Sequence, residues 1–309
     1  MRLPERLKRG DVIGVMAPAG PIKMKQIQKA IPFFENMGLQ VKVGNHLDEV
    51  HGYLAGTDEQ RLEDLHEMAA DPAIKAIIFA RGGYGTGRII DRIDYDLIRK
   101  NPKIYWGYSD ITYLHTAIRQ KAELVTFHGP MLASDIARDD FDTFSKRMFT
   151  QLFEPMRLLY TEEISQLQVI SPGNADGKLA GGNLSLLAST LGTPYEIDTK
   201  GKLLLLEDIG EEAYRVDGLL NQLRLAGKLE AAAGIIVGDF ANTESGLEQT
   251  LTMEQVFSHY FSRLNVPVLA GFKIGHCFPH FAVPLGVEAH LSTYYKTLHI
   301  TPGVREAKL

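Results

Sequence analysis

The stretch "KIYWGYSDITYLHTAI" (residues 103–118) begins as a continuous apolar run and ends with the spacing of a helix. Gly107, Ser109 and Asp110 stand where the period changes. A short apolar run with no polar alternation reads as a strand buried on both faces, and a helix directly after it reads as half of a βαβ unit. The same alternation extends outward on either side. "VIGVMA" (12–17), "LQVKV" (39–43), "AIKAIIFA" (73–80) and "LVTFHG" (124–129) read as further strands, with helix candidates between them. Thr57 with Gln60 three residues on forms a capping box that opens one of these helices, and "DDFDTFSKRMFTQLFEP" is an amphipathic helix closed by Pro155. The expected fold class is therefore α/β, with a parallel sheet in the N-terminal part.

At 309 residues the chain has room for two modest domains. The polar, irregular stretch 155–176, containing "SPGNADGK", is the candidate boundary, which gives domains of 1–160 and 175–309. Beyond it, "NLSLLASTLG" reads as a short helix ended by Gly192, and "KLLLLED", "AGIIVGDF" and "VPVLAGF" read as strands. Ala213, Val216, Leu220 and Leu223 mark one face of a further helix. The net charge of −5 leaves no basic footprint for nucleic acid. No apolar stretch approaches the roughly 20 residues that cross a bilayer. Arg2, Arg6, Lys8 and Arg9 precede "VIGVMAPAG", but the apolar run is too short for a secretory core, so it reads as a first strand and the protein as cytoplasmic. A lone cysteine, Cys277, fits a reducing compartment.

In a parallel sheet, reactive groups belong at the carboxyl ends of strands. Four polar clusters follow strands here: "RGGYGTGR" (81–88), "GYSD" (107–110), "LLEDIGEE" (205–212) and "GHCFPH" (275–280). Each alone reads as a solvated loop, and four in this position point to a site. Ser109 reads as a nucleophile on a tight strand-to-helix turn that Gly107 permits, or alternatively as an N-cap of the following helix. "RGGYGTGR" fails the dinucleotide pattern at Arg88 and Ile90 and lacks the Walker lysine. Its glycines instead suit backbone N–H groups facing an oxyanion or a carboxylate, with Arg81 as partner. His276 and His280 are four apart, but Pro279 between them argues against a helix presenting both, so no metal site is expected. A serine nucleophile needs a base and an orienting acid. His276 follows a strand and a glycine, and Glu207 and Asp208 end the strand "KLLLLED".

Taken together, "GDVIGVMAPAGP", "FARGGYGTGR", "WGYSDIT", "TFHGPM", "GKLAGGNLSLLASTLGTPY", "LLLLEDIGEEAYRVDGLLNQL", "GIIVGDF" and "IGHCFPHFAVPLG" resemble the LD-carboxypeptidase family of serine peptidases, nearly end to end and in the family's order. The resemblance implies a flavodoxin-like or amidotransferase-like N-terminal domain, a smaller swivelling-type β/α C-terminal domain and a homodimer. It implies a triad of Ser109, Glu207 and His276, with the nucleophile in one domain and its partners in the other. It also implies backbone oxyanion donors, placed at Asp110 and Gly83, and no cofactor. Arg81 is the candidate clamp for the substrate's terminal carboxylate, with Arg88 as the alternative. The implied reaction is release of the terminal D-alanine from a murein tetrapeptide in cell-wall recycling. The short link from Glu207 to "GIIVGDF" favours that substrate over the peptidyl nucleotides cut by microcin immunity members. A non-enzymatic anion-binding module is the remaining alternative.

Overall fold

The structure, a computed structural model, describes residues 1–244 and 249–306. These contain fourteen strands: β1 (Val12–Met16), β2 (Gln40–Val43), β3 (Ile74–Phe79), β4 (Ile104–Gly107), β5 (Thr126–His128), β6 (Leu158–Tyr160), β7 (Gln168–Ser171), β8 (Asn174–Asn183), β9 (Lys202–Ile209), β10 (Gly234–Ala241), β11 (Val268–Ala270), β12 (Val283–Leu285), β13 (Glu288–Ser292) and β14 (Thr297–Ile300). The chain divides into two compact units. The first comprises Met1–Met156, Ala282–Leu285 and the segment from Pro302, and the second comprises Arg157–Phe281 and Gly286–Thr301.

The first unit holds one sheet in the order β12-β5-β4-β3-β1-β2. β1 to β5 are parallel, and β12 is antiparallel to β5. The parallel strands thus follow the 2-1-3-4-5 order of flavodoxin-like sheets, whose direction reverses between β1 and β3 and opens a crevice at their carboxyl ends. Strands covered on both faces must be apolar on both, and β4 shows how the two sides differ. Tyr105 packs with Phe79, Ile111, Leu114 and Ile118 on one side. Trp106 stacks on Phe149 and Phe127 at ring-centroid distances of 4.4 and 6.0 Å and donates its indole N–H to the Pro130 carbonyl at 2.7 Å. The Thr57–Gln60 capping box forms as the spacing predicts and opens the helix Asp58–Ala70. The amphipathic segment before Pro155 is an α-helix only over Thr143–Arg147 and tightens into a 3₁₀ helix over Met148–Leu152.

The second unit holds a sheet in the order β6-β14-β13-β8-β9-β10-β11-β7. β8 to β11 are parallel, with antiparallel strands on both flanks. The helix Ala213–Leu225 buries the four residues its spacing marks, Ala213, Val216, Leu220 and Leu223. Two boundaries differ from the sequence reading. The stretch 155–176 is no linker, since it contributes the two outermost strands, β6 and β7, and the start of β8. β8 hides from propensity because it is rich in glycine. Gly181 lies at φ +125°, and a Cβ there would come 2.0 Å from the Leu205 carbonyl oxygen of β9. The C-terminal domain also does not run unbroken to the chain end. β12 extends the first sheet, and Arg305 joins the N-terminal lead-in, its N–H donating to the Pro4 carbonyl and its carbonyl accepting from the Arg6 N–H, both at 2.9 Å. No helix among the described residues is long and apolar enough to cross a membrane.

Removing the wholly buried Trp106 deletes a large apolar side chain and a hydrogen bond together. Trp106→Ala is expected to lower stability by about 3–5 kcal/mol, seen as a lower urea midpoint by circular dichroism. Leu225→Ala, at a side chain that is 71% exposed, should leave the midpoint in place.

Candidate active site

β4 delivers the chain to Tyr108 and then to Ser109, whose φ is +64°. L-residues other than glycine rarely occupy this left-handed region, and their presence there costs of order 1–3 kcal/mol. A serine held so at a strand-to-helix turn is the geometry of a nucleophile elbow. Ser109 is half-buried, opens a 3₁₀ turn over Ser109–Ile111 and leads into the helix Thr112–Ala122. It is not the cap of either, since Tyr108 and Ile111 hold the cap positions. Gly107 plays a different part from the expected one. Its φ is not positive; a Cβ there would meet Ile111, Phe79 and Met131 at 3.0–3.3 Å, so close packing rather than turn geometry excludes a side chain. Behind the turn, the buried His115 donates from Nε2 to the Gly107 carbonyl at 2.7 Å. Burial pushes its pKa down to about 3, so it stays neutral and fixes the end of β4.

The glycine-rich loop after β3 packs against this elbow. A Cβ on Gly82 would lie 3.0 Å from Ser109 Cβ and 3.1 Å from Oγ, and Gly20, from the loop after β1, donates its N–H to the Gly82 carbonyl at 3.1 Å. The β1 and β3 loops therefore meet at the topological switch point, beside the serine. Among the described residues, neither the Asp110 N–H nor the Gly83 N–H donates to a main-chain carbonyl outside the regular elements. The Asp110 carboxylate is buried and accepts from both the N–H and the hydroxyl of Thr86 at 2.8 Å, which ties the elbow to the glycine loop. Burial raises its pKa, against the opposing hydrogen bonds from Thr86 and the positive charge of Arg61. Arg61 is buried and donates to the carbonyls of Pro18 and Gly85 at 2.6 and 2.8 Å and to Asp58. Asp58 in turn engages Arg88 through two bonds of 3.0 Å. Arg88 is thus committed, whereas Arg81 is exposed and its guanidinium makes one bond among the described residues, to the Pro21 carbonyl at 3.0 Å.

In the second unit, Glu207 and His276 are brought together. His276 Nδ1 lies 2.8 Å from Glu207 Oε2, with the carboxylate fully buried and the imidazole 11% exposed. A carboxylate can only accept, so Nδ1 carries the hydrogen and Nε2 is the basic nitrogen. Two glycines shape the place. A Cβ at Gly275 would lie 2.7 Å from Glu207 Oε2, and one at Gly238 would lie 2.4 Å from the Ile274 carbonyl and 3.1 Å from Glu207 Cβ. Asp208, the other acid at the end of β9, faces elsewhere. It accepts from Asn183 Nδ2 and from the N–H and hydroxyl of Ser185 at 2.7–2.9 Å, which anchors the start of the helix Leu184–Ser189. The strand alternation thus gives the two adjacent carboxylates separate tasks.

Gly82, Thr86, Arg61 and His115 have no role assigned from the sequence. Gly82 and Thr86 lie within the "RGGYGTGR" cluster, which is the signal they carry. The others act through contacts between segments far apart in sequence. Among the described residues no group of three or more His, Cys, Asp or Glu side chains is arranged to hold a metal ion.

Residues 13–129 match the family model of the LD-carboxypeptidase N-terminal domain, and residues 176–291 that of the C-terminal domain. The chain is 55% identical over 307 residues to a Bacillus subtilis protein named probable murein peptide carboxypeptidase, covering 99% of this chain and 96% of that one. It is 30% identical over 286 residues to the murein tetrapeptide carboxypeptidase of Pseudomonas aeruginosa, covering 90% and 92%. The muramoyltetrapeptide carboxypeptidase structure from Oxalobacter formigenes aligns with a TM-score of 0.84 at 30% identity, over 96% of this chain and 100% of that one. An MccF-like protein from Bacillus anthracis aligns at 0.86 and 28%, over 98% and 100%. With both family domains matched in order and a relative sharing more than half its residues over almost its whole length, this chain belongs to the LD-carboxypeptidase family and is a serine-type carboxypeptidase.

Proposed function

We propose that the enzyme removes the terminal D-alanine from murein tetrapeptides in the cytoplasm during cell-wall recycling, as a homodimer, with Ser109, His276 and Glu207 acting as one catalytic unit. The observation that carries the reading is the combination of a serine held at φ +64° on an elbow with a His–Glu pair that leaves Nε2 as the base. The murein substrate rests on the 55% identity to a protein named for it.

In this reading His276 Nε2 takes the Ser109 proton as Oγ attacks the terminal peptide carbonyl, while Glu207 holds the imidazole in its tautomer and stabilises the imidazolium. The N–H groups of Asp110 and Gly83, at the start of the 3₁₀ turn and in the glycine loop, stabilise the tetrahedral oxyanion. His276 then protonates the leaving D-alanine amine, and water resolves the acyl-enzyme by the same steps in reverse. Arg81 is the clamp for the terminal carboxylate, since Arg88 is held by Asp58.

Mass spectrometry of an L,D-tetrapeptide incubated with the purified enzyme should show loss of one alanine. A peptidyl nucleotide cut in its place would select the microcin-immunity activity, and no cleavage of either would favour an anion-binding module. Ser109→Ala and His276→Ala should each lower kcat on the order of 10³-fold or more, and the double variant little further; additive losses in folded proteins would break the triad. Glu207→Gln should cost less than loss of the nucleophile.

Gly82→Ala places a methyl against Ser109 and shifts the elbow. It should lower kcat by about 10²-fold, the scale for a reacting group displaced by about an ångström, with the circular dichroism spectrum unchanged. Wild-type kcat in this variant would show that the loop contact is immaterial.

The serine, the oxyanion donors and a carboxylate clamp fix three directions around the scissile carbonyl. An all-L tetrapeptide and a D,D-linked terminus should therefore be cut at least about 10²-fold more slowly by kcat/KM than the L,D-linked tetrapeptide. Equal rates would point to a general peptidase.

A further inference from the structure

At the amino ends of β1, β3 and β4, the edge of the first sheet away from Ser109, lies a cavity of about 450 Å³. That is the size of small-molecule sites. Pro72, Ile74 and Pro102 line it together with six cationic side chains: Arg6, Lys8, Lys75, Lys100, Lys103 and Arg305. Of the two acids present, Glu5 pairs with Arg305 at 2.8 Å, and Asp11, which keeps its charge, accepts the main-chain N–H of Lys8 at 2.8 Å, so the cationic side chains still outnumber the carboxylates. Arg6 is likewise held by Glu306 at 2.6 Å. Among the described residues, Lys8, Lys75, Lys100 and Lys103 have no carboxylate within ion-pair distance, in a chain whose net charge is negative.

Lys103 is the built element of this cavity. It is 5% exposed, and its ammonium donates to the carbonyls of Asp71 and Ile74 at 2.6 and 2.7 Å. An ammonium has three hydrogens, so one remains for a ligand. Burying a charge beside other lysines is unfavourable unless an anion joins them. The kind of anion follows from the donors. The arginines, whose planar forks suit carboxylates, are occupied, and what remains is a set of point-charge ammonium groups of the type that binds phosphate. We infer that this cavity is a second ligand site, separate from the catalytic residues, that takes a small organic phosphate on Lys8, Lys75, Lys100 and Lys103.

One consequence separates this role from a purely structural one. Burial, and then Lys75, pushes the Lys103 pKa down to about 8, against the pull of Asp71. The other charged groups lining the cavity are Glu5, Arg6, Lys8, Asp11, Lys100 and Arg305. A bound phosphate favours the charged ammonium and raises this pKa, so Lys103 itself takes up a proton on binding, little at pH 7 and more at pH 8.5, and the net uptake shows with a ligand already fully ionised there.

Isothermal titration of the full-length enzyme at low ionic strength with inorganic phosphate, pyrophosphate and glucose 6-phosphate tests the inference. The expected result is saturable binding of pyrophosphate and glucose 6-phosphate, tighter than inorganic phosphate, with net proton uptake at pH 8.5 for glucose 6-phosphate, whose phosphate is already fully ionised there, read across buffers of different ionisation enthalpy. Lys75→Ala/Lys100→Ala removes two exposed charges. It should weaken binding by at least about tenfold and leave kcat on the tetrapeptide unchanged. Binding of inorganic phosphate alone, binding indifferent to the double variant, binding of glucose 6-phosphate at pH 8.5 without proton uptake, or no saturable binding would each overturn it.

Discussion

The left-handed conformation of Ser109 is the constraint around which the first unit is organised. A β-carbon at φ +64° crowds its own carbonyl, and a serine relaxes from that conformation unless its neighbours forbid it. The neighbours do so from every side. His115 holds the Gly107 carbonyl, Gly107 has no room for a side chain between Phe79, Ile111 and Met131, Thr86 ties down the Asp110 carboxylate, and the Gly82 backbone lies so near Ser109 that a Cβ there would meet its side chain. The resulting placement of the half-buried Ser109 beside the start of a helical turn is a product of tertiary over-determination more than of local preference.

Charged groups in this protein sort by whether the fold uses up their bonding directions. Glu207 and Asp208 are neighbours on β9, both buried, yet Asp208 spends its oxygens on Asn183 and Ser185 while Glu207 orients His276. Arg88 and Arg81 come from one loop, and Asp58 claims the first while the second keeps most of its donors. The same sorting distinguishes Arg6 and Arg305, which are paired, from the lysines beside them. Low dielectric makes each such commitment strong, and an uncommitted buried charge costly unless a ligand completes it.

The parallel sheet, the Thr57 cap, the helix face from Ala213 to Leu223 and the family were all legible from residue order, because these rest on periodicity and on motifs a few residues long. The position of Ser109 at a change of period already marked a turn. Its backbone angle, the packing role of Gly107 and the choice between Glu207 and Asp208 came only with tertiary structure. Each depends on what segments dozens of residues away place against it. The same holds for β8 and the edge strands β6 and β7, whose glycine-rich or short sequences carry little strand preference and pair because their neighbours' hydrogen-bonding edges are there to be filled. β12 and the segment around Arg305 join the first unit for that reason too: main-chain hydrogen bonds to a distant edge have no signature in the sequence of the strand that makes them.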